Sequence, residues 1–198
     1  MSPPADRAPL VALLAAGKAK RFGGGKLDAD LLDRPLGAWP LAAVAKAGFA
    51  PGIIVVGPDG PQFASVAADW ELLTNPAPED GLGGSVSLAV QHALAAERDC
   101  LLLLADMPLV DADHLQRLAA APSSSATRWP DDHLGVPALI RRDDLPLFAA
   151  LEGDRGAGPL LSGLEDIVRI FAPAQMLLDV DRKEDLVQAR ELLEGEPR

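Results

Sequence analysis

Ten positions near the start of the chain carry Gly17, Lys18, Lys20, Arg21, Gly23, Gly24, Gly25 and Lys26, directly after the apolar run 10–16. A buried strand that empties into a glycine-rich, cationic loop can receive a polyphosphate. The strand fixes position, the glycines let backbone N–H groups come close, and Lys and Arg neutralise oxygens. Leu27 follows Lys26, so the G-x-x-x-x-G-K-[ST] spacing is missing, and no G-x-G-x-x-G occurs to suggest a dinucleotide-dependent oxidoreductase. Asp106 ends the run Leu101–Leu104 as Asp106-Met107-Pro108. A carboxylate there is costly unless paired, and it reads either as a turn cap or as a ligand for Mg²⁺, a hard cation that favours a few carboxylates plus phosphate oxygens. Asp179 and Asp181 flank Val180, and Asp181 with Glu184 also has capping-box spacing, so cap and metal readings compete. Asn75, Gly81, Gly83, Gly84, Ser85 and Ser87 form a turn-rich stretch that reads either as an ordinary long loop with Ser85 as a helix cap or as small residues suited to a flat base. Gly83 to Ser87 is not a G-x-S-x-G elbow, which removes a serine hydrolase. Gly153-Asp154-Arg155-Gly156 reads as a turn around an ion pair.

Leu14-Ala15-Ala16-Gly17, Arg21-Phe22-Gly23 and Lys26 match the nucleotidyltransferase signature LAAG-x-x-x-RFG-x-x-K position by position. With Asp106-Met107-Pro108, Gly153-Asp154-Arg155-Gly156 and Asp179-Val180-Asp181 with Glu184-Asp185 in order, the chain resembles the molybdopterin nucleotidyltransferases, and most closely the molybdenum cofactor cytidylyltransferases. The resemblance implies a Rossmann-like (GT-A-like) three-layer α/β nucleotidyltransferase fold whose late strands run antiparallel. It implies that Leu14, Ala15, Ala16, Gly17, Arg21 and Lys26 bind nucleotide, with Asn75, Gly81, Gly83 and Ser85 over the base. Arg21, Lys26 and Asp106 would be catalytic, and Lys18 and Lys20 peripheral. Asp106 would ligate Mg²⁺ with Asp179 or Asp181, Asp179 being favoured. Asp154 and Arg155 would meet the acceptor. Gly135 and Pro137 match a family Gly-His-Pro only at its ends, because Val136 stands in the middle.

The reaction implied is CTP plus a phosphorylated pterin, molybdopterin carrying molybdenum, giving a nucleotidyl diphosphate and pyrophosphate. Ala15-Ala16 leans towards cytidine, and GTP is the alternative. Transient contact with a molybdoenzyme or its chaperone is implied as well. A sugar or polyol phosphate acceptor competes; those relatives usually carry Pro before the loop lysine, where this chain has Gly25. An inactive nucleotide-binding regulator and a redox enzyme are the rivals of other classes.

Several elements must position these groups. The reading places strands at 9–15, 52–57, 71–74 and 100–105, and helices at 38–47, 61–68, from Ser85 to about 96, and 111–120. Continuous apolar strands alternating with helices predict a mostly parallel sheet covered on both faces, with ligands outside the carboxyl ends of its strands. Beyond 120 the reading gives short strands within 126–141, helices at 143–150 and 157–163, strands at 167–171 and 176–180, and a closing helix at 182–194. Residues 1–8 read as a flexible tail and 9–198 as one nucleotidyltransferase domain, a size that suits a single core.

Of the 198 residues, 48% are apolar, Tyr is absent, and the formal charge is −11. Few aromatics and an acidic balance argue against nucleic acid. Charges beyond about 8 Å are screened at physiological salt, so the local basic loop decides nucleotide binding. The lone Cys100 reads as a buried structural thiol, not a disulfide or zinc ligand. No apolar run reaches membrane-spanning length, and a soluble, cytoplasmic protein is expected. His92, His114 and His133 lack metal-ligand spacing and read as surface or half-buried residues.

Overall fold

The computed structural model describes residues 8–19 and 21–195. Most of the expected N-terminal tail (residues 1–7) and Lys20 lie outside the described residues. Seven strands form one sheet: β1 (Leu10–Ala15), β2 (Ile53–Val56), β3 (Glu71–Thr74), β4 (Cys100–Leu104), β5 (Ser125–Arg128), β6 (Leu134–Ile140) and β7 (Val168–Phe171). Their order is β3-β2-β1-β4-β6-β5-β7. The helices are α1 (Ala38–Lys46), α2 (Gln62–Ser65), α3 (Leu82–Ala95), α4 (Ala112–Ala119), α5 (Gly158–Gly163) and α6 (Lys183–Gly195).

The apolar strands divide their side chains between two cores, as period-2 alternation requires. Val11, Leu13 and Ala15 of β1, with Leu101 and Leu103 of β4, pack against Val44 of α1, Phe63 of α2, Leu115 and Leu118 of α4, and Ala189 of α6. Leu10, Ala12 and Leu14, with Cys100 and Leu102, pack against Val86, Ala89, Val90 and Ala93 of α3 and Leu161 of α5. The sheet is therefore the middle of three layers, and each central strand is apolar on both faces.

Of the late strands only β6 runs antiparallel, to β4 and β5; β7 is again parallel to β5. Pro137 sits inside β6 despite lacking an N–H. The β5–β6 register shifts between Ala126 and Thr127, and the Thr127 hydroxyl donates to the Pro137 carbonyl (2.6 Å). A sheet admits proline at such an irregularity.

Three other expectations fail. The segment 176–180 is no strand: Ala174–Leu177 forms a 3-10 turn, and Met176, Leu177 and Val180 are buried in the core against the sheet face instead of pairing at its edge. The expected helix 143–150 is only a 3-10 turn, Leu145–Leu147, where Pro146 removes a donor. Helix α3 starts at Leu82, three residues before Ser85, so Ser85 is not its cap.

Candidate nucleotide and metal site

The loops after β1, β2, β3 and β4 all open on the carboxyl edge of the sheet, where they bound two connected hollows. The first, about 450 Å³, is lined by Ala15, Ala16, Gly17 and Gly25 from the first loop and by Gly57 to Pro61 after β2. The second, about 550 Å³, is lined by Arg21, Glu79, Gly81, Leu82, Asp106, Asp154 and Asp181. Gly17, Lys18, Ala19, Lys26 and Pro78 border both, so the hollows are lobes of one cleft.

Lys26 is the hinge of the second lobe. Its side chain is 7% exposed; Nζ donates to Asp106 Oδ2 at 2.7 Å and to Asp181 Oδ1 at 3.3 Å. Arg21, exposed, donates to the other oxygen of Asp181 at 2.9 Å. Burial alone would lower the Lys26 ammonium. Asp106, through charge and hydrogen bond, with Asp179 and Asp181, outweighs burial and holds it above its ordinary value. Asp179 goes the other way: burial first, then the charge of Asp106, pushes its carboxyl up to about 7 despite Lys26.

One ligand atom from each of Asp106, Asp179 and Asp181 lies within 4.8 Å of the others. Asp106 Oδ1 and Asp179 Oδ1 are buried with no hydrogen-bond partner. Unsatisfied buried carboxylate oxygens are costly, and three hard oxygen donors around one point fit a divalent cation. The backbone builds this convergence. The Val180 N–H donates to the Asp106 carbonyl at 3.0 Å, pinning 179–181 to the end of β4. Asp185 Oδ2 accepts from the N–H groups of Asp181 and Arg182. Helix α6 is thus capped by Asp185 reaching back, which leaves the Asp181 carboxylate to the cleft; the capping-box reading of Asp181 with Glu184 does not hold.

The first loop differs in detail from the expectation. Gly23, Gly24 and Gly25 have φ of +94°, +94° and +62°, conformations that glycine adopts without strain. The N–H groups of Phe22, Gly23 and Gly24 all donate to the Ala19 carbonyl, so Gly23 and Gly24 shape the loop without lining the cleft, while Gly25 borders the first lobe. Lys18 borders both lobes and pairs with Glu79 at 3.1 Å. Leu14 is buried in the core below the cleft.

The Asn75 stretch serves chiefly as scaffold. Buried Asn75 donates from Nδ2 to Ser85 Oγ (3.0 Å) and accepts from the Ala77 N–H (3.0 Å). Neither Asn75, Gly83 nor Ser85 lines a lobe; Gly81 does. A Cβ on Gly81 would fall 2.4 Å from the Gly153 carbonyl carbon, and one on Gly83 2.7 Å from that of Glu152. These glycines exist to let the 152–154 turn pack on this loop, and Gly83 N–H donates to Gly153 O at 2.9 Å. That contact brings Asp154 into the second lobe, while Arg155 is exposed outside it.

Two carboxylates that line the cleft escaped the motifs. Asp28 accepts from the N–H groups of Gln62 and Phe63 (both 2.8 Å), fastening the start of α2 to the first loop. Glu79, on a 3-10 turn (Pro78–Asp80), supplies the partner of Lys18. Only capping chemistry could have announced Asp28, and nothing local announces Glu79. Cys100 is fully buried and its thiol is pushed up to about 12 by burial, then by Asp99, as a structural thiol should be. His114 is also fully buried, contrary to expectation. The Thr127 hydroxyl donates to Pro137 O, so His114 Nε2–H donates to Thr127 Oγ1 (2.8 Å) while Nδ1 accepts from Arg117 (3.1 Å). Burial, and then the Arg117 charge, lowers it to about 4.

A cationic loop facing aspartates at the carboxyl edge of a three-layer sheet defines the class: a nucleotidyltransferase. Residues 11–168 match the MobA-like NTP transferase domain, and the chain belongs to that family. It is 31% identical over 159 residues to the purine catabolism protein PucB of Bacillus subtilis, covering 75% of this chain and 78% of that one. A nucleotidyl transferase from Methanothermobacter thermautotroptrophicus superposes with a TM-score of 0.74 at 21% identity, over 96% of this chain and 99% of the other. Rv0371C of Mycobacterium tuberculosis, solved in complex with manganese, gives 0.68 at 22% identity, over 93% and 99%. Among the described residues no helix is long and apolar enough to cross a membrane.

Proposed function

We propose that the chain transfers a cytidylyl group from CTP to the phosphate of molybdopterin, with Mg²⁺ and with release of pyrophosphate. The observation that carries the transfer is Lys26 held among Asp106 and Asp181 at the meeting of three chain segments. The first lobe, walled by backbone and small residues, takes base and sugar; the second takes the triphosphate. An acceptor phosphate oxygen attacks the α-phosphorus in line, the bond to the bridging oxygen breaks, and pyrophosphate leaves with that electron pair. No covalent enzyme intermediate is needed.

Arg21 and Lys26 hold the phosphates and stabilise the charge that grows on the leaving oxygens, while the fixed lobe geometry aligns the reactants. Asp106 with Asp179 and Asp181 would hold the cation; that a protein of this fold was solved with manganese supports a divalent ion as the partner of such a cluster. Bound Mg²⁺ supplies neutralisation of phosphate charge. Asp154, on the turn that packs against Gly81, would meet the acceptor in the second lobe, and Arg155 would have to reach it from outside that lobe.

The choice of cytidine rests on Ala15-Ala16, which line the base lobe, and the pterin acceptor on the ordered motifs from Asp106 to Asp185. Guanine is the alternative base. Pyrophosphate release measured with each of the four NTPs, Mg²⁺ and molybdenum-loaded pterin tests the reading. CTP should give turnover; turnover only with a sugar or polyol phosphate acceptor would replace it.

A further inference from the structure

The second lobe is lined by three cationic side chains, Lys18, Arg21 and Lys26, and four carboxylates, Glu79, Asp106, Asp154 and Asp181. Each of the three cations is already paired: Lys18 with Glu79, Arg21 with Asp181, and Lys26 with both Asp106 and Asp181. A triphosphate entering alone would therefore meet carboxylates and no unpaired cation among these lining residues. A divalent cation entering alone would meet the Lys26 ammonium, buried at the oxygens it needs. Neither ligand suits the lobe in this state, although the two together would.

We propose that cation and nucleotide enter by exchanging ion-pair partners. The cation takes over Asp106 and Asp181, and the Lys26 ammonium and Arg21 guanidinium so released pass to the triphosphate. This rests on the reading that the lobe receives a triphosphate. The oxygens Asp106 Oδ1 and Asp179 Oδ1, buried and without partners, give the cation a foothold before Lys26 lets go. Lys26 cannot remain in place, because two positive groups would then share the same carboxylate oxygens with little water between them. Arg21 reaches only the outer oxygen of Asp181 from an exposed position, so it opposes the cation less. Lys26 thus has opposite effects on the two ligands: a competitor of the metal and a partner of the nucleotide. Each ligand strengthens the other on the protein beyond their complexation in solution, and the coupling is reciprocal.

The test measures Mn²⁺ binding without nucleotide, by the EPR signal of the free ion, for wild type, Lys26→Met and Arg21→Gln. Calorimetry then follows binding of each NTP with EDTA and with saturating Mn²⁺. Lys26→Met should bind Mn²⁺ alone about tenfold tighter, within the usual range of coupling between sites, and Arg21→Gln about threefold tighter, a weaker coupling than that range. Both variants should bind nucleotide less well than wild type when Mn²⁺ is present, and wild type should lose most of its nucleotide affinity in EDTA. Arg21 is 72% exposed, so Arg21→Gln keeps the test decisive if Lys26→Met misfolds. Mn²⁺ affinity that is unchanged or weaker in the folded variants overturns the exchange while leaving the triphosphate site standing. Wild type that binds Mn²⁺ but no NTP overturns the triphosphate reading itself.

Discussion

The two lobes of the cleft are of similar size but are built from different materials. The first is walled by Ala15, Ala16, Gly17 and the Gly57–Pro61 turn, with the Asp28 carboxylate tied to the N–H groups of Gln62 and Phe63. The second gathers charged side chains from the first loop, the Pro78–Asp80 turn, the end of β4, the 154 turn and the segment before α6. The first lobe is mostly small residues and backbone, with Lys18, Lys26, Asp28 and Asp59 in its wall; the second is mostly charged side chains. A nucleotide needs both, and the first loop joins them: Gly17, Lys18, Ala19 and Lys26, with Pro78, border both lobes.

The sharpest way to break this contrast is to remove charge from the second lobe. Lys26→Ala or Asp106→Ala should lower kcat by about a thousandfold, the scale of losing a charge-stabilising group at a reacting centre. Circular dichroism should show the fold retained, and turnover near that of wild type would reject the site. Next in size is a backbone change. Gly81→Ala places a side chain at φ +112° and against Gly153, so it should lower stability by about 2–3 kcal/mol. It should also raise the acceptor KM more than the nucleotide KM, since the displaced turn carries Asp154.

What the residues disclosed in advance follows from the same division. Continuous apolar runs such as Leu101–Leu104 announce buried parallel strands, and chemistry placed just after such strands is readable by position. The late segment was not readable. Met176, Leu177 and Val180 look like a strand by composition, but they are apolar because they are buried against the core, and only tertiary packing decides that. Gly81 and Gly83 suggest room for a base, yet the room is filled by Glu152 and Gly153, some seventy residues away. Asp185, not Asp181, caps α6, and which carboxylate turns back cannot be told from spacing alone.

Away from both lobes, His114 gives a pH control of comparable size. Its folded value near 4 lies below the ordinary 6.5, so below pH 6.5 the unfolded chain takes up a proton that the folded chain refuses. Stability should be full above pH 6.5 and fall by up to about 3 kcal/mol on acidification to pH 4, at about 1.4 kcal/mol per unit. Urea unfolding of wild type and His114→Gln across that window should show a flatter profile in the variant. A smaller effect is expected at Asn75. Asn75→Ala removes the hydrogen bonds to Ser85 and Ala77 and should cost about 1–3 kcal/mol, with kcat per folded molecule changed far less than by Lys26→Ala. A loss of turnover as large as that of Lys26→Ala would move Asn75 from scaffold to catalytic group. The smallest change expected is at the rim: Lys18→Ala breaks an exposed ion pair with Glu79 and should alter nucleotide KM by only about twofold.

The central claim is that a divalent ion joins the aspartates of the second lobe to a triphosphate held by Lys26 and Arg21. A crystal grown with CTP and Mn²⁺, measured at the manganese absorption edge, tests it directly. The account predicts an anomalous peak at coordinating distance from Asp106 and from Asp179 or Asp181, with the phosphates between it and Lys26. A nucleotide whose phosphates lie away from Lys26, or manganese bound elsewhere on the molecule, would contradict it.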